Sequence, residues 1–302
     1  MKNSLLKVSL ITLSFFSFSI KAQTTFQWAK GMGSSSNDRA NSVAVDASGN
    51  VYSTGFFQGV SDFDPGPGTF TLSSNGSADI FVSKLDANGN LLWAKQIGGS
   101  SADFGRAIVL DGAGNVNIGG AYQGTVDFDP NAGVTNLTSA GMNDAFVMKL
   151  SPAGNLIWAK SMGGSNVEDL QGIAADASGN VFTTGYFNNT ADFDPGTGTF
   201  TMTAVLGNSD AFISKLDASG NFVWAKQFLA ISNNAGANAF DIELDGAGNV
   251  ITGGAFSGTR DFDPGAGTFT IAAINSDIFI SKLDPSGNFL WAKSMGGPSG
   301  SN

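Results

Sequence analysis

The chain has 302 residues, no cysteine, no histidine, and 25 acidic against 15 basic residues, for a formal net charge of −10. Without cysteine there is no disulfide framework, and without histidine there is no imidazole base, no Ser-His-Asp triad and no His-ligated zinc. The acidic balance excludes nucleic acid and anionic membrane as natural partners, because both require clustered Lys or Arg.

Residues 1–22 read as a secretory signal peptide: Lys2 and Lys7 open it, Val8–Ile20 is apolar, and Ala22 offers a small residue for cleavage before Gln23. That run is too short and wrongly flanked for a membrane anchor, and no later run approaches it in length, so no transmembrane segment is expected. Its removal takes Lys2, Lys7 and Lys21 with it and leaves 12 basic against 25 acidic residues, a net charge of −13. The expectation is an exported or cell-surface protein, stabilised by buried apolar area and monomeric.

Beyond the leader, Trp-Ala-Lys occurs at Trp28, Trp93, Trp158, Trp224 and Trp291, at intervals of 65, 65, 66 and 67 residues. A fixed period of this size is the mark of a repeat architecture. In one unit, Asn41–Asp46 and Val51–Phe57 alternate at strand spacing around the turn Asp46-Ala-Ser-Gly-Asn50. Asp79–Leu85 and Leu91–Ile97 do the same around Asp86-Ala-Asn-Gly-Asn90. An Asp at the head of such a turn accepts backbone N–H groups two residues on, and the Gly supplies positive φ. The loops that begin at Asp111, Ser151, Asp176, Asp217, Asp245 and Asp284 repeat the device.

Each unit therefore predicts four strands, a to d, in an all-β chain without helix. Four-stranded units at even spacing suit a β-propeller. The usual blade is roughly 40–50 residues, and the surplus here lies between strands b and c, in segments such as Ser61–Ser73, where an extra hairpin is expected. The blades fall at about 38–98, 99–163, 164–229 and 230–297.

Asp144–Gly185 carries Asp-Ala-Phe-Val-x-Lys-Leu, a Gly turn, Gly-Gly, and then Gly-Ile-Ala-x-Asp-x-x-Gly-Asn-Val-x-x-Thr-Gly. This run resembles the bacterial SBBP (seven-bladed beta propeller) repeat, and the likeness extends over Phe26–Gly297. It departs from that pattern in its more acidic b–c segment and in Trp-Ala-Lys on strand d. The resemblance implies a secreted or surface protein of bacteria and no particular activity. Phe26–Gly31 is a d strand ahead of its first full blade, and the tail from Met295 parallels Met32–Asn37. The expectation from that order is an unfinished ring with further blades downstream, or else a closed four-bladed ring with one redundant strand.

Asp-Phe-Asp-Pro recurs as Asp62/Asp64, Asp127/Asp129, Asp192/Asp194 and Asp261/Asp263. In an extended segment the two carboxylates share one face while the intervening Phe packs on the other. Paired hard oxygens beside a Gly-rich turn are candidate Ca²⁺ ligands, the one cofactor this sequence suggests, although one pair falls short of the six to eight oxygens calcium takes. A further acid at the start of strand c (Asp79, Asp144, Asp210 or Asp277) would have to join. Turn capping by the same aspartates is the competing reading.

Glu243 stands on strand a where Ala44, Val109 and Ala174 stand elsewhere, and is a candidate ligand-binding acid facing the channel; Glu168 reads as a solvated loop acid. The lysines of strands c and d are expected to pair with the Asp-Phe-Asp-Pro carboxylates, the tryptophans to pack between sheets, and Arg39, Arg106 and Arg260 to form no clamp. The reading is a non-enzymatic propeller scaffold that binds a protein or glycan. The alternatives are a calcium-stabilised adhesin and an Asp-dependent polysaccharide hydrolase or lyase.

Overall fold

A computed structural model describes residues 26–205, 208–232 and 235–297; the expected leader at 1–22 lies outside them. The described residues contain no α-helix, and so no helix long and apolar enough to cross a membrane. The first unit comprises β1 (Arg39–Val45), β2 (Val51–Phe57), β3 (Val60–Asp62), β4 (Thr71–Ser73), β5 (Asp79–Leu85) and β6 (Leu91–Ile97). The second comprises β7 (Phe104–Leu110), β8 (Val116–Tyr122), β9 (Thr125–Asp127), β10 (Asn136–Thr138), β11 (Asp144–Leu150) and β12 (Leu156–Gly164). The third comprises β13 (Glu168–Ala175), β14 (Val181–Asn188), β15 (Thr190–Asp192), β16 (Thr201–Thr203), β17 (Ser209–Leu216) and β18 (Phe222–Gln227). After β19 (Leu229–Ala230), the fourth has β20 (Ala237–Leu244), β21 (Val250–Asp261), β22 (Thr270–Leu283) and β23 (Phe289–Met295).

Each unit is a four-stranded antiparallel sheet in the order a-b-c-d, for example β1-β2-β5-β6 and β13-β14-β17-β18. Turn chemistry sets these hairpins. Asp46 Oδ1 accepts the Ser48 and Asn50 N–H groups at 2.9 Å, its Oδ2 accepts Asn50 Nδ2 at 2.7 Å, and Gly49 sits at φ 80°. Those bonds, the Asn50 side chain first, hold the Asp46 carboxyl below its usual range. Ser151 makes the weaker version, accepting only the Asn155 N–H at 3.2 Å.

The expected extra hairpin between strands b and c is present as β3–β4, β9–β10 and β15–β16. In the fourth unit it is continuous with its neighbours, so that b and c lengthen into β21 and β22. Its first strand adds to the d strand of the preceding unit. Gly163 and Gly164 of β12 pair with Asp192 and Ala191 of β15, Leu229 and Ala230 of β19 pair with Asp261 and Arg260, and Gly33 bridges Asp62.

The sheets stack face to face, and the core lies between them. Tyr52, Ile80, Val82 and Ile97 of the first sheet meet Ile108, Ile118 and Phe146 of the second in one cluster, and equivalent residues fill the next two interfaces. Each buried aromatic or branched side chain contributes about 1.5–3 kcal/mol. The hairpin Phe of each Asp-Phe-Asp is buried with them. Phe63, Phe128, Phe193 and Phe262 set their rings edge-on to Phe57, Tyr122, Phe187 and Phe256 at 5.1–5.2 Å.

Inner strands touch in the order β1, β7, β13, β20, and no closed ring forms among the described residues. Val43 and Val45 are 64% and 61% exposed on one end face, whereas Ile108, Ile173 and Ile242, the counterparts of Val43, are 1–7% exposed.

Candidate functional site

The Asp-Phe-Asp-Pro aspartates sit at the necks of the inserted hairpins. Asp62 Oδ1 accepts the Asp64 N–H at 3.0 Å and the Phe70 N–H at 2.9 Å, while Asp64 Oδ1 accepts the Gly66 N–H at 2.8 Å. The Phe70 and Asp64 N–H groups keep the Asp62 carboxyl below its usual range. Asp127 with Asp129, Asp192 with Asp194, and Asp261 with Asp263 repeat the arrangement at 2.8–3.0 Å. The capping geometry ties the hairpin ends together and projects the tips. Across each neck, paired with the Phe of Asp-Phe-Asp, stands the residue that donates to the first Asp: Phe70, Phe200 and Phe269 are 39–41% exposed, with Thr135 at the equivalent place in the second unit. Phe200 and Phe269 are braced by Phe222 and Phe289 at 4.9 and 5.0 Å.

The strand-c acids expected to join these pairs lie elsewhere, buried between sheets. Asp79 accepts the Asn75 and Gly76 N–H groups and the Gln96 amide. Among the described residues no group of three or more His, Cys, Asp or Glu is placed to hold a metal ion.

A second constellation was not legible as such. At the first two interfaces the strand-c acid lies near the acid that opens strand a of the next unit: Asp79 near Asp103, and Asp144 near Glu168. Glu168, read from sequence as solvated, is fully buried. Its Oε2 accepts the Gly164 N–H at 2.8 Å, and Asp144 packs against the neighbouring Gly163, where a Cβ would strike its carboxylate. Asp144 Oδ1 and Glu168 Oε1 are left without partners. Burial, with Asp144 adding to it, pushes Glu168 up to about 8; burial likewise pushes Asp103, beside Asp79, up to about 6. Glu168 is thus held largely as the neutral acid at neutral pH, since two buried charges side by side are unfavourable.

The third interface resolves the same problem differently. Ala237 replaces the strand-a acid and Arg260, fully buried, donates to Asp210 Oδ1 and Phe228 O at 2.6 Å and to Ala235 O at 2.7 Å. Arg106 reaches across the second interface to Asp169 at 2.9 Å. Two of the three arginines are therefore clamps between sheets, contrary to their scattered positions in the repeat. Placement in three dimensions matters more here than repeat register.

The lysines also depart from expectation. Lys149 and Lys282 pair with Asp111 and Asp245 of the a–b turns, at 3.2 and 2.7 Å, and not with the hairpin aspartates. Lys84 and Lys215 lie 4.8 Å from the ring centres of Tyr52 and Phe182. The tryptophans do pack across interfaces, and they carry a bond that sequence reasoning missed. Four of the five indole Nε1–H groups donate to a carbonyl in the c–d turn of the next unit: Trp28 to Ala87, Trp93 to Pro152, Trp158 to Ala218 and Trp224 to Pro285, at 2.9–3.3 Å. The signal was present in the near-constant offset from each Trp to the turn Gly beneath it, as in Trp93 and Gly154.

Glu243 lies exposed on β20, on the face of the fourth sheet turned away from the third. Asp241, also exposed, precedes it by two residues on the same strand, and its Oδ1 accepts the Ile242 N–H at 3.0 Å.

No family model matches the chain. The uncharacterized WD repeat-containing protein L264 of Acanthamoeba polyphaga mimivirus is 31% identical over 208 residues, 61% of this chain and 15% of the viral protein. The chain is a repeat, propeller-like β protein. The regulatory protein FlaEY of Caulobacter vibrioides is 24% identical over 187 residues, 61% of this chain and 19% of that one. The chain thus spans only 15% and 19% of the length of these relatives. A crystal structure of a protein of unknown function from Bacteroides caccae aligns over 85% of this chain and 81% of its own at TM-score 0.36 and 8% identity, too slight a likeness to bear on fold or role.

Proposed function

We propose that this chain is an exported, non-enzymatic β-propeller scaffold of the SBBP type whose inserted hairpins bind a surface glycan or protein. The observation that carries the reading is the recurrence of Phe70, Phe200 and Phe269, each partly exposed at the same position of its unit and held by an aspartate-capped turn. A rigid aromatic beside carboxylates and a Gly-rich backbone suits stacking against a sugar face or an extended peptide. The recurrent aspartates support a structural role, because their carboxylate oxygens accept backbone N–H groups in every unit. A catalytic site ordinarily needs one asymmetric acid pair, not the same pair copied around a scaffold.

Binding to an immobilised polysaccharide and glycopeptide panel tests this. Retention that is lost in the Phe70→Ala/Phe200→Ala/Phe269→Ala variant, with fold intact, supports the reading. Retention unchanged by that variant refutes it, and release of shortened product establishes the hydrolase or lyase instead. The calcium-stabilised adhesin requires donors beyond each Asp pair, and chelation separates it from the present reading.

A further inference from the structure

The three interfaces between consecutive units bury the same strand-c aspartate, Asp79, Asp144 or Asp210, and differ in what answers it. At the first, Asp79 accepts the Asn75 and Gly76 N–H groups and the Gln96 amide, and the two Asp103 oxygens accept the Gly99 and Gln123 N–H groups at 2.8 and 3.0 Å. At the third, the Arg260 guanidinium donates to Asp210 Oδ1 and to the carbonyls of Phe228, Ser209 and Ala235. Of the three, the second interface alone has no such answer. Ser161 stands there in the place of Gln96, and Ala191 in the place of Arg260.

Asp144 Oδ2 accepts the Ala140 N–H at 3.0 Å and the Ser161 hydroxyl at 3.3 Å, and Glu168 Oε2 accepts the Gly164 N–H at 2.8 Å. The other oxygen of each carboxyl, Asp144 Oδ1 and Glu168 Oε1, has no partner in the protein, although Asp144 is 3% and Glu168 0% exposed. Buried carboxyl oxygens require a partner, and an unmet one points to an ion or a water between the sheets. At the third interface the group that meets the aspartate is a cation. The carbonyls that Arg260 takes from Phe228 and Ser209 have counterparts here in Met162 and Asn143, the latter also accepting the Glu168 N–H at 2.9 Å. This set of oxygens falls short of the six to eight that calcium takes. With Glu168 held neutral, the pair carries one negative charge, as Asp210 does.

We propose that the second interface holds a small monovalent metal cation, sodium or potassium, between Asp144 Oδ1 and Glu168 Oε1, in the role that the Arg260 guanidinium plays at the third. The ion joins β11 of the second unit to β13 of the third where Ala191 is too short to reach across. Ala237 with Arg260, and Glu168 with Ala191, are then two solutions to one problem: the first carries its cation on a side chain, and the second takes it from solution.

Thermal unfolding by circular dichroism tests this, with the chain in sodium, potassium or tetramethylammonium chloride at equal ionic strength. The melting temperature is expected to be higher in sodium or potassium. It should rise by about 3 °C for each tenfold increase in concentration above half-saturation, because a ligand of the folded state stabilises it with the logarithm of its concentration. Glu168→Ala with Ala191→Arg copies the third interface and should melt alike in all three salts. Asp144→Asn should do the same, and each variant keeps the test should the other misfold. Broadening of the ²³Na resonance by the parent, reversed by potassium and absent from the paired variant, reads the ion directly. Equal melting of the parent in the three salts overturns the proposal, as does a difference that survives in these variants, or a response to calcium alone.

Discussion

The indole latch makes a prediction that separates position from chemistry. Trp158 and Trp291 occupy the same place on strand d, opposite Lys149 and Lys282, but among the described residues only Trp158 is followed by a unit whose turn its indole reaches. Its ring packs against the second interface cluster, lies over the Gly220 turn, faces the Lys149 ammonium at 5.5 Å and donates to Ala218 O at 3.1 Å. Truncating a fully buried Trp costs about 3–5 kcal/mol. Because the Trp158 ring is partly exposed, about 2–3 kcal/mol is expected for Trp158→Ala, of which the hydrogen bond supplies about 1 kcal/mol. Trp158→Phe should isolate that last part, while Trp291→Ala should fall within the ordinary surface range of about 0.5 kcal/mol. Urea unfolding followed by circular dichroism, compared at constant m, reads the difference as a shift in midpoint. Equal costs for Trp158→Ala and Trp291→Ala would refute the latch and return the tryptophans to simple strand packing.

Other outcomes follow from the buried polar groups. Arg260→Met leaves the buried Asp210 carboxylate without its counter-ion and the Phe228, Ser209 and Ala235 carbonyls without this donor, and should cost about 3–5 kcal/mol; Arg260→Lys should rescue little, since one ammonium cannot replace the planar fork. Glu168 is pushed up to about 8 from an ordinary 4.5, so between those values the folded state holds a proton that the unfolded state has lost. Stability must therefore fall as pH rises through that window, by up to about 1.4 kcal/mol per pH unit, and level off above it. Glu168→Gln should flatten the profile; a profile identical to the parent's would show that the acid is not stored protonated. EDTA should leave the melting temperature unchanged, whereas a drop that calcium reverses would favour the adhesin. Asp192→Ala should lower that temperature through loss of the Asp194 and Phe200 N–H acceptor, with Asp192→Asn milder; no change would deny the cap its structural role.

How much was readable depended on the range of the interaction. Hairpin turns were legible because an Asp, a Gly and an Asn four residues apart settle their own geometry, as Asp46–Asn50 does. The inserted hairpins were legible because Asp-Phe-Asp alternates a buried ring with two capping carboxylates within three residues. What failed was everything decided between units. Glu168 looked like a loop acid because nothing nearby in the chain buries it; the neighbouring sheet does. Arg260 looked isolated because its partner, Asp210, lies fifty residues upstream in another sheet. Comparing units would have helped, since the unit with Arg260 is also the one in which Ala237 replaces Asp103 and Glu168. The lysines were assigned to the wrong aspartates for a related reason: charge alone does not say which turn a strand-c side chain reaches.

The central claim is that the recurrent residues of this chain hold each unit to the next. Hydrogen exchange of the tryptophan indole N–H groups, followed by NMR on ¹⁵N-tryptophan-labelled protein, tests it most directly. The account predicts slow exchange at Trp93, Trp158 and Trp224, each bonded to the following unit, and fast exchange at Trp291. Equal protection at all of these positions, or fast exchange at the first three, would contradict it.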